Sequence, residues 1–197
     1  MQSGVSRQVS LDHPIGAAAV PRWACNGDIH WPASETVEQL APGFYTFAEV
    51  PNIGPAVIRR NISTDSLLRL PDLATTEVLA EFAAFWSIGA TFKARGFLHK
   101  RGILLWGPPG SGKTASLMLM SQEIIEEHGG IVCQIDHPGL AGTCLQMIRK
   151  IEPKRPIVAV IEDLDALIDR HGENNFLALL DGETQVDSIA YIATTNY

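Results

Sequence analysis

No stretch of this 197-residue chain approaches the ~18 consecutive apolar residues that span a bilayer. The N-terminus has no basic stretch ahead of a long apolar segment, so neither a membrane span nor a secretory signal is expected. Cysteine is scarce: Cys25, Cys133 and Cys144 lie far apart, in an odd number and without metal-ligand spacing. That excludes a disulfide framework and fits reduced structural thiols in a cytoplasmic compartment. Positive charge is in deficit, 15 Lys and Arg against 22 Asp and Glu, for a net charge of −7. This argues against a surface built to neutralise a nucleic-acid backbone. Repeats and low-complexity tracts are absent too. What is present, 46% hydrophobic and 19% charged residues, is the composition of a globular protein with room for one sizeable core and a small extra module.

Residues 1–40 are rich in Pro, Gly, Ala and Ser and show no sustained periodicity; Pro14, Pro21 and Pro32 interrupt any long element. Trp23 and Trp31 are read as packing residues. Residues 44–50 and 56–62 read as two strands, and the turn signal Pro51-Asn52-Ile53-Gly54-Pro55 between them predicts a hairpin. Leu79, Phe82, Phe85 and Trp86 recur at helical spacing within 74–93. Arg95, His99, Lys100 and Arg101 form a short basic run, read as a solvated face with a weaker alternative of a role near phosphates. Beyond it, strands at 102–106, 131–135, 157–161 and 188–195 alternate with helices at 115–128, 140–151 and 174–180. This β-α-β-α-β-α-β order predicts a three-layer α/β domain around a parallel sheet. The expected division is an N-terminal segment, 1–69, and a core, 70–197.

The run Gly107-Pro108-Pro109-Gly110-Ser111-Gly112-Lys113-Thr114 fits G-x-x-x-x-G-K-[ST] and stands between a predicted strand and a predicted helix. That order aims backbone N–H groups and the positive helix end at one point, which favours a triphosphate. The glycines let the backbone curl around phosphate oxygens. Pro108 and Pro109 restrict the loop in advance, and the Ser111 N–H belongs to the same cradle. Lys113 can reach the β- and γ-phosphates, and the Thr114 hydroxyl can serve Mg²⁺.

Two further elements fall at carboxyl ends of predicted strands, where ligands of open α/β sheets bind. Strand 157–161 runs into Glu162-Asp163, with Asp165 following. One of the two acids can hold Mg²⁺ through its water shell, and its neighbour can orient or deprotonate the attacking water. The alternative is that Asp163 or Asp165 caps the next helix. Strand 189–195 ends at Asn196, whose amide can meet the γ-phosphate or the water; a turn asparagine is the alternative.

Together GPPGSGKT (107–114), IVAVIEDLD (157–165) and IATTN (192–196) resemble the Walker A, Walker B and sensor 1 motifs of AAA+ ATPases. The resemblance covers about 70–197. It implies a P-loop NTPase fold, ATP and Mg²⁺ as ligands, ATP hydrolysis, a homo-oligomeric ring and a protein complex as substrate. It implies that Lys113 grips phosphate, Thr114 and Glu162 bind Mg²⁺, Asp163 polarises water and Asn196 senses the γ-phosphate. The family's usual Asp-Glu order is reversed here to Glu162-Asp163, as it is in a mitochondrial inner-membrane AAA chaperone family that carries a transmembrane segment. The loop His137-Pro138-Gly139-Leu140-Ala141-Gly142 lacks the aromatic residue with which ring translocases grip substrate. The family's arginine finger, fifth strand and helical lid fall beyond Tyr197. The sequence is therefore expected to be an incomplete product or fragment, or to be completed by a partner, with the strand before the phosphate loop left as an apolar sheet edge. The other function classes are a nucleotide-dependent binding module with little turnover, and a DNA-directed loader or initiator, which the acidic balance counts against.

Overall fold

Six short strands rich in apolar and β-branched residues build the central sheet. The computed structural model describes residues 22–26, 29–33, 36–62, 73–182 and 185–196. The chain divides into two compact units, Met1–Glu38 and Gln39–Tyr197.

The first unit contains a hairpin that the sequence pattern did not reveal. Strands β1 (Arg22–Asn26) and β2 (Ile29–Ala33) pair antiparallel, with Ala24 opposite Trp31 and Trp23 opposite Pro32. Five-residue strands, one of them carrying a proline, give too short a pattern to register as periodic. The packing expected of Trp23 and Trp31 lies outside the described side chains.

In the second unit, β3 (Gly43–Val50) and β4 (Gly54–Arg60) form the predicted hairpin, Val50 opposite Gly54. Asn52 turns the corner at φ 65°, a conformation asparagine tolerates. Helices α1 (Leu73–Ser87) and α2 (Gly89–Ala94) follow. Strand β5 (Lys100–Trp106) leads through the glycine loop into α3 (Lys113–Glu126). Then come β6 (Ile131–Gln134), α4 (Pro138–Ile151), β7 (Ile157–Ile161), α5 (Leu164–His171), α6 (Glu173–Asp181) and β8 (Ile189–Thr195).

The sheet order is β4-β3-β6-β7-β8-β5, parallel throughout except for β4. Alternate residues of each inner strand serve opposite faces. Ile157, Ala159 and Ile161 of β7 face a core built with α4, α5 and α6, whereas Val158 and Val160 face a core built with α1 and α3. These are the three layers expected.

The hairpin corrects the expected domain division at 69/70. β3 pairs in parallel with β6, from Gly43 with Ile131 to Thr46 with Gln134, so residues 39–60 belong to the core sheet. Nothing in the hairpin's own sequence announces that a strand from another part of the chain will pair with it. A buried ionic clamp fastens its leading end. The Leu40 N–H donates to Glu152 Oε1 at 2.9 Å, and Arg155 donates to the Leu40 carbonyl at 2.5 Å. Arg155 and Glu152 pair at 3.4 Å with both side chains almost wholly buried.

The reading of the basic run at the start of β5 is also corrected. His99 is buried, its ring stacked 4.0 Å from Phe85 and its Nε2 2.8 Å from the Phe85 carbonyl oxygen. Lys100 donates to the Leu180 carbonyl and pairs with Asp181 at 3.1 Å, and Arg101 pairs with Glu81 at 2.5 Å. These residues secure the start of β5, the end remote from the phosphate loop.

At its other border the sheet ends on β5, which pairs with β8 and, among the described residues, with no strand on its far side. Leu104 and Trp106 are exposed there, the apolar edge expected of the loop-bearing strand. No described helix is long and apolar enough to cross a membrane.

Candidate functional site

The glycine loop connects the end of β5 to the start of α3. Gly112 is the N-cap of α3 at φ 84°, in the left-handed region, and no side chain caps the helix. The first N–H groups of α3 thus stay available for an anion, at the positive end of the helix. Gly107 is buried at φ 150°, and a Cβ there would stand 3.0 Å from Ser111 Oγ. A turn closed by the Ser111 N–H on the Pro108 carbonyl, at 3.2 Å, fixes the curl between them. Lys113 Nζ donates to the carbonyl oxygens of Gly107 at 2.7 Å and Pro108 at 3.1 Å, which holds the ammonium against the loop.

Opposite the loop stand the ends of β7 and β8. All five residues of β7 are buried, so the strand delivers Glu162 and Asp163 to its rim from a rigid base. Burial pushes the Glu162 carboxyl above its usual range, and the neighbouring Asp163 and then Asp136 push it further the same way. Three carboxylates thus crowd this rim, and burial with like-charge repulsion favours a cation there.

Asp163 lies at φ 49° and ψ 55°, left-handed for a non-glycine residue. It occupies the N-cap position of α5 without using its side chain as a cap. Its N–H donates to Thr194 Oγ1 at 3.1 Å, and its Oδ1 accepts from Asn196 Nδ2 at 3.2 Å. Asp165 Oδ1 accepts from Thr195 Oγ1 at 3.0 Å. The helix-capping alternative for the two aspartates is therefore not what the fold adopts: both side chains turn to the end of β8.

One cavity of about 450 Å³ is lined by Pro109, Gly110, Ser111, Gly112, Lys113 and Thr114 on one side and by Glu162, Asp163, Thr194 and Asn196 on the other. Gly107 and Pro108 stand behind it, turned to Lys113 through their carbonyls. All the sequence-predicted residues thus come together. Two were missed. Asp136 follows β6 at the same sheet rim, where the strand-end rule that singled out Glu162 applies equally. Thr194, only 4% exposed, carries no signal beyond lying two residues before Asn196.

The donor set suits a magnesium-bound polyphosphate. A loop of backbone amides and an ammonium group meet the phosphates. The Thr114 hydroxyl and the Glu162 carboxylate, hard oxygen donors lining one cavity, suit a small divalent cation that keeps part of its water shell.

The model of the ATPase family associated with various cellular activities (AAA) matches residues 103–197. The probable mitochondrial chaperone bcs1 of Schizosaccharomyces pombe is 32% identical over 118 residues, covering 54% of this chain and 26% of that protein. The ATPase family gene 2 protein of the same yeast is 31% identical over 123 residues, covering 53% and 15%. A solved structure, that of C. elegans PCH-2, aligns with a TM-score of 0.49 at 19% identity, covering 66% of this chain and 38% of that one. The chain thus spans about a quarter or less of the length of these two curated relatives.

Proposed function

We propose, for a chain whose residues 103–197 match the model of the AAA ATPase family, that it binds MgATP in the 107–114 cradle and hydrolyses it to ADP and inorganic phosphate. The observation that carries this reading is the single cavity in which Lys113 and the start of α3 face Glu162, Asp163 and Asn196.

Gly110 to Thr114 offer their N–H groups to the phosphates. Lys113 exchanges its two loop carbonyls for β- and γ-phosphate oxygens. Thr114 and Glu162 would hold a magnesium ion, which when bound would supply charge neutralisation and polarisation of the γ-phosphoryl group. Asp163 accepts a proton from the attacking water as the new bond to the γ-phosphorus forms and the bond to the β-phosphate bridging oxygen breaks. Asn196 holds the water or the γ-phosphate in line. In the whole protein this cycle would serve a homo-oligomeric ring that remodels a protein complex. The match to the AAA family model supports that reading, and the buried thiols of Cys133 and Cys144 fit a cytoplasmic setting.

Isothermal titration calorimetry with MgATP tests the site. Lys113→Ala should abolish measurable binding while leaving the fold intact, and binding equal to wild type would refute the assignment.

A second reading has its own support. The acid at the water position is the shorter aspartate, and it already accepts the Asn196 amide. Such a site could hold ATP as a switching ligand with negligible turnover. Tight binding without phosphate release, even at high protein concentration, would select this reading.

A further inference from the structure

The end of β7 poses a problem of backbone geometry. The β7–β8 ladder runs to the pair Ile161 and Ala193, and α5 begins at Leu164. Asp163 falls between the two elements, with its N–H outside the ladder. It also sits in the left-handed region, costly for a residue with a Cβ though least so for Asp and Asn. A conformation of that kind persists only when its surroundings over-determine it.

What determines it here is Thr194. Its hydroxyl is buried and accepts the Asp163 N–H at 3.1 Å. With the main chain anchored there, the Asp163 side chain swings away from the helix it would otherwise cap and meets Asn196 at 3.2 Å. Thr195 repeats the device one residue on, by donating to Asp165 at 3.0 Å. Three consecutive residues, Thr194 and Thr195 of β8 and Asn196 just beyond it, thus stitch the start of α5 to the sheet.

We propose that Thr194 is a positioning residue for ATP hydrolysis: its hydroxyl holds the Asp163 backbone in the left-handed conformation that aims the carboxylate into the phosphate cavity. The inference rests on the reading of Asp163 as the residue that accepts the water's proton. Thr194 itself takes no proton and need not touch the nucleotide. Valine has nearly the same shape but no acceptor oxygen, and serine keeps the acceptor while losing a methyl group.

The test compares Thr194→Val with Thr194→Ser in the full chain. Amide hydrogen exchange at Asp163, read by NMR, should be at least about tenfold faster in Thr194→Val and near wild type in Thr194→Ser, since an amide that loses its partner opens to solvent. The turnover number should fall by about 10- to 100-fold in the valine variant, the scale of a misplaced catalytic group. Its MgATP affinity should stay within about twofold, and the serine variant should recover the rate. Unchanged exchange at Asp163 in the valine variant overturns the proposal, as does a wild-type turnover number. So does joint loss of affinity and rate in both variants, the mark of general damage to the fold. Should the wild-type chain fail to bind MgATP, the nucleotide reading falls, while Asp163 exchange still decides whether Thr194 holds the acid.

Discussion

Asn196 donates its side-chain amide to Asp163 across 3.2 Å, joining the ends of two neighbouring parallel strands at the rim of the phosphate cavity. An acid and an amide in that relation can share one water. Their separate removal should therefore affect the same step.

Asp163→Asn preserves the tolerance for left-handed backbone and removes the charge. It should lower the turnover number by about 10²- to 10⁴-fold, the usual contribution of a general base, with MgATP affinity retained. Asn196→Ala should lower it in the same direction, and the double variant should be no slower than the product of the two single effects. Phosphate-release assays at saturating ATP check both.

Glu162 carries a raised pKa, and the sign of its effect follows. Because the folded state favours the protonated carboxyl, the stability linked to this group is fully present below its ordinary value of 4.5 and is lost as the pH rises through the folded value. Without nucleotide, Glu162→Gln should therefore melt at a higher temperature than wild type at neutral pH. The difference should close as the pH falls toward 4. Thermal denaturation of both proteins between pH 4 and 8 measures it, and a variant less stable at neutral pH would contradict the crowding of Asp136, Glu162 and Asp163.

The ionic clamp under the hairpin is a stability device. Glu152→Ala leaves the Arg155 guanidinium and the Leu40 N–H without their buried partner, and should cost about 3–5 kcal/mol of unfolding free energy. Urea titration reads that loss. The clamp lies far along the chain from the loop, so MgATP affinity measured below the unfolding transition should be unchanged.

The basic residues at the start of β5 make a contrasting case. Arg101→Ala should leave MgATP affinity within about twofold, because its partner is Glu81 on α1 and an exposed pair contributes about 0–1 kcal/mol. A tenfold loss in calorimetry would restore the phosphate role that its sequence neighbourhood suggested.

How much of this was legible in the sequence depends on how local the signal was. The loop 107–114 and the buried strand 157–161 were read to within a residue, because glycine spacing and an unbroken apolar run are written in consecutive positions. The convergence of Glu162, Asp163 and Asn196 followed from one rule about the carboxyl ends of parallel strands. The place of the 43–60 hairpin was not legible, since its pairing with β6 joins segments almost ninety residues apart and depends on a buried Arg155–Glu152 pair that looks like surface charge in the sequence. His99 misled for the same reason. A histidine beside lysine and arginine reads as exposed, and only the aromatic stack with Phe85 shows that it is core. Thr194 was invisible because its role lies in a hydroxyl meeting one backbone amide.

Strand β5 carries the phosphate loop, and among the described residues β8 is the strand that holds it laterally, in register from Lys100 with Ile189 to Trp106 with Thr195. That single seam gauges the distance between cradle and amide. A slip of one residue would draw Gly107 about 3.3 Å along the sheet away from Asn196 and turn Ile103 and Leu105 out of their core into water. Alignment of the phosphate machinery and burial of those two side chains are thus a single condition, and the loop cannot drift without the core registering the error.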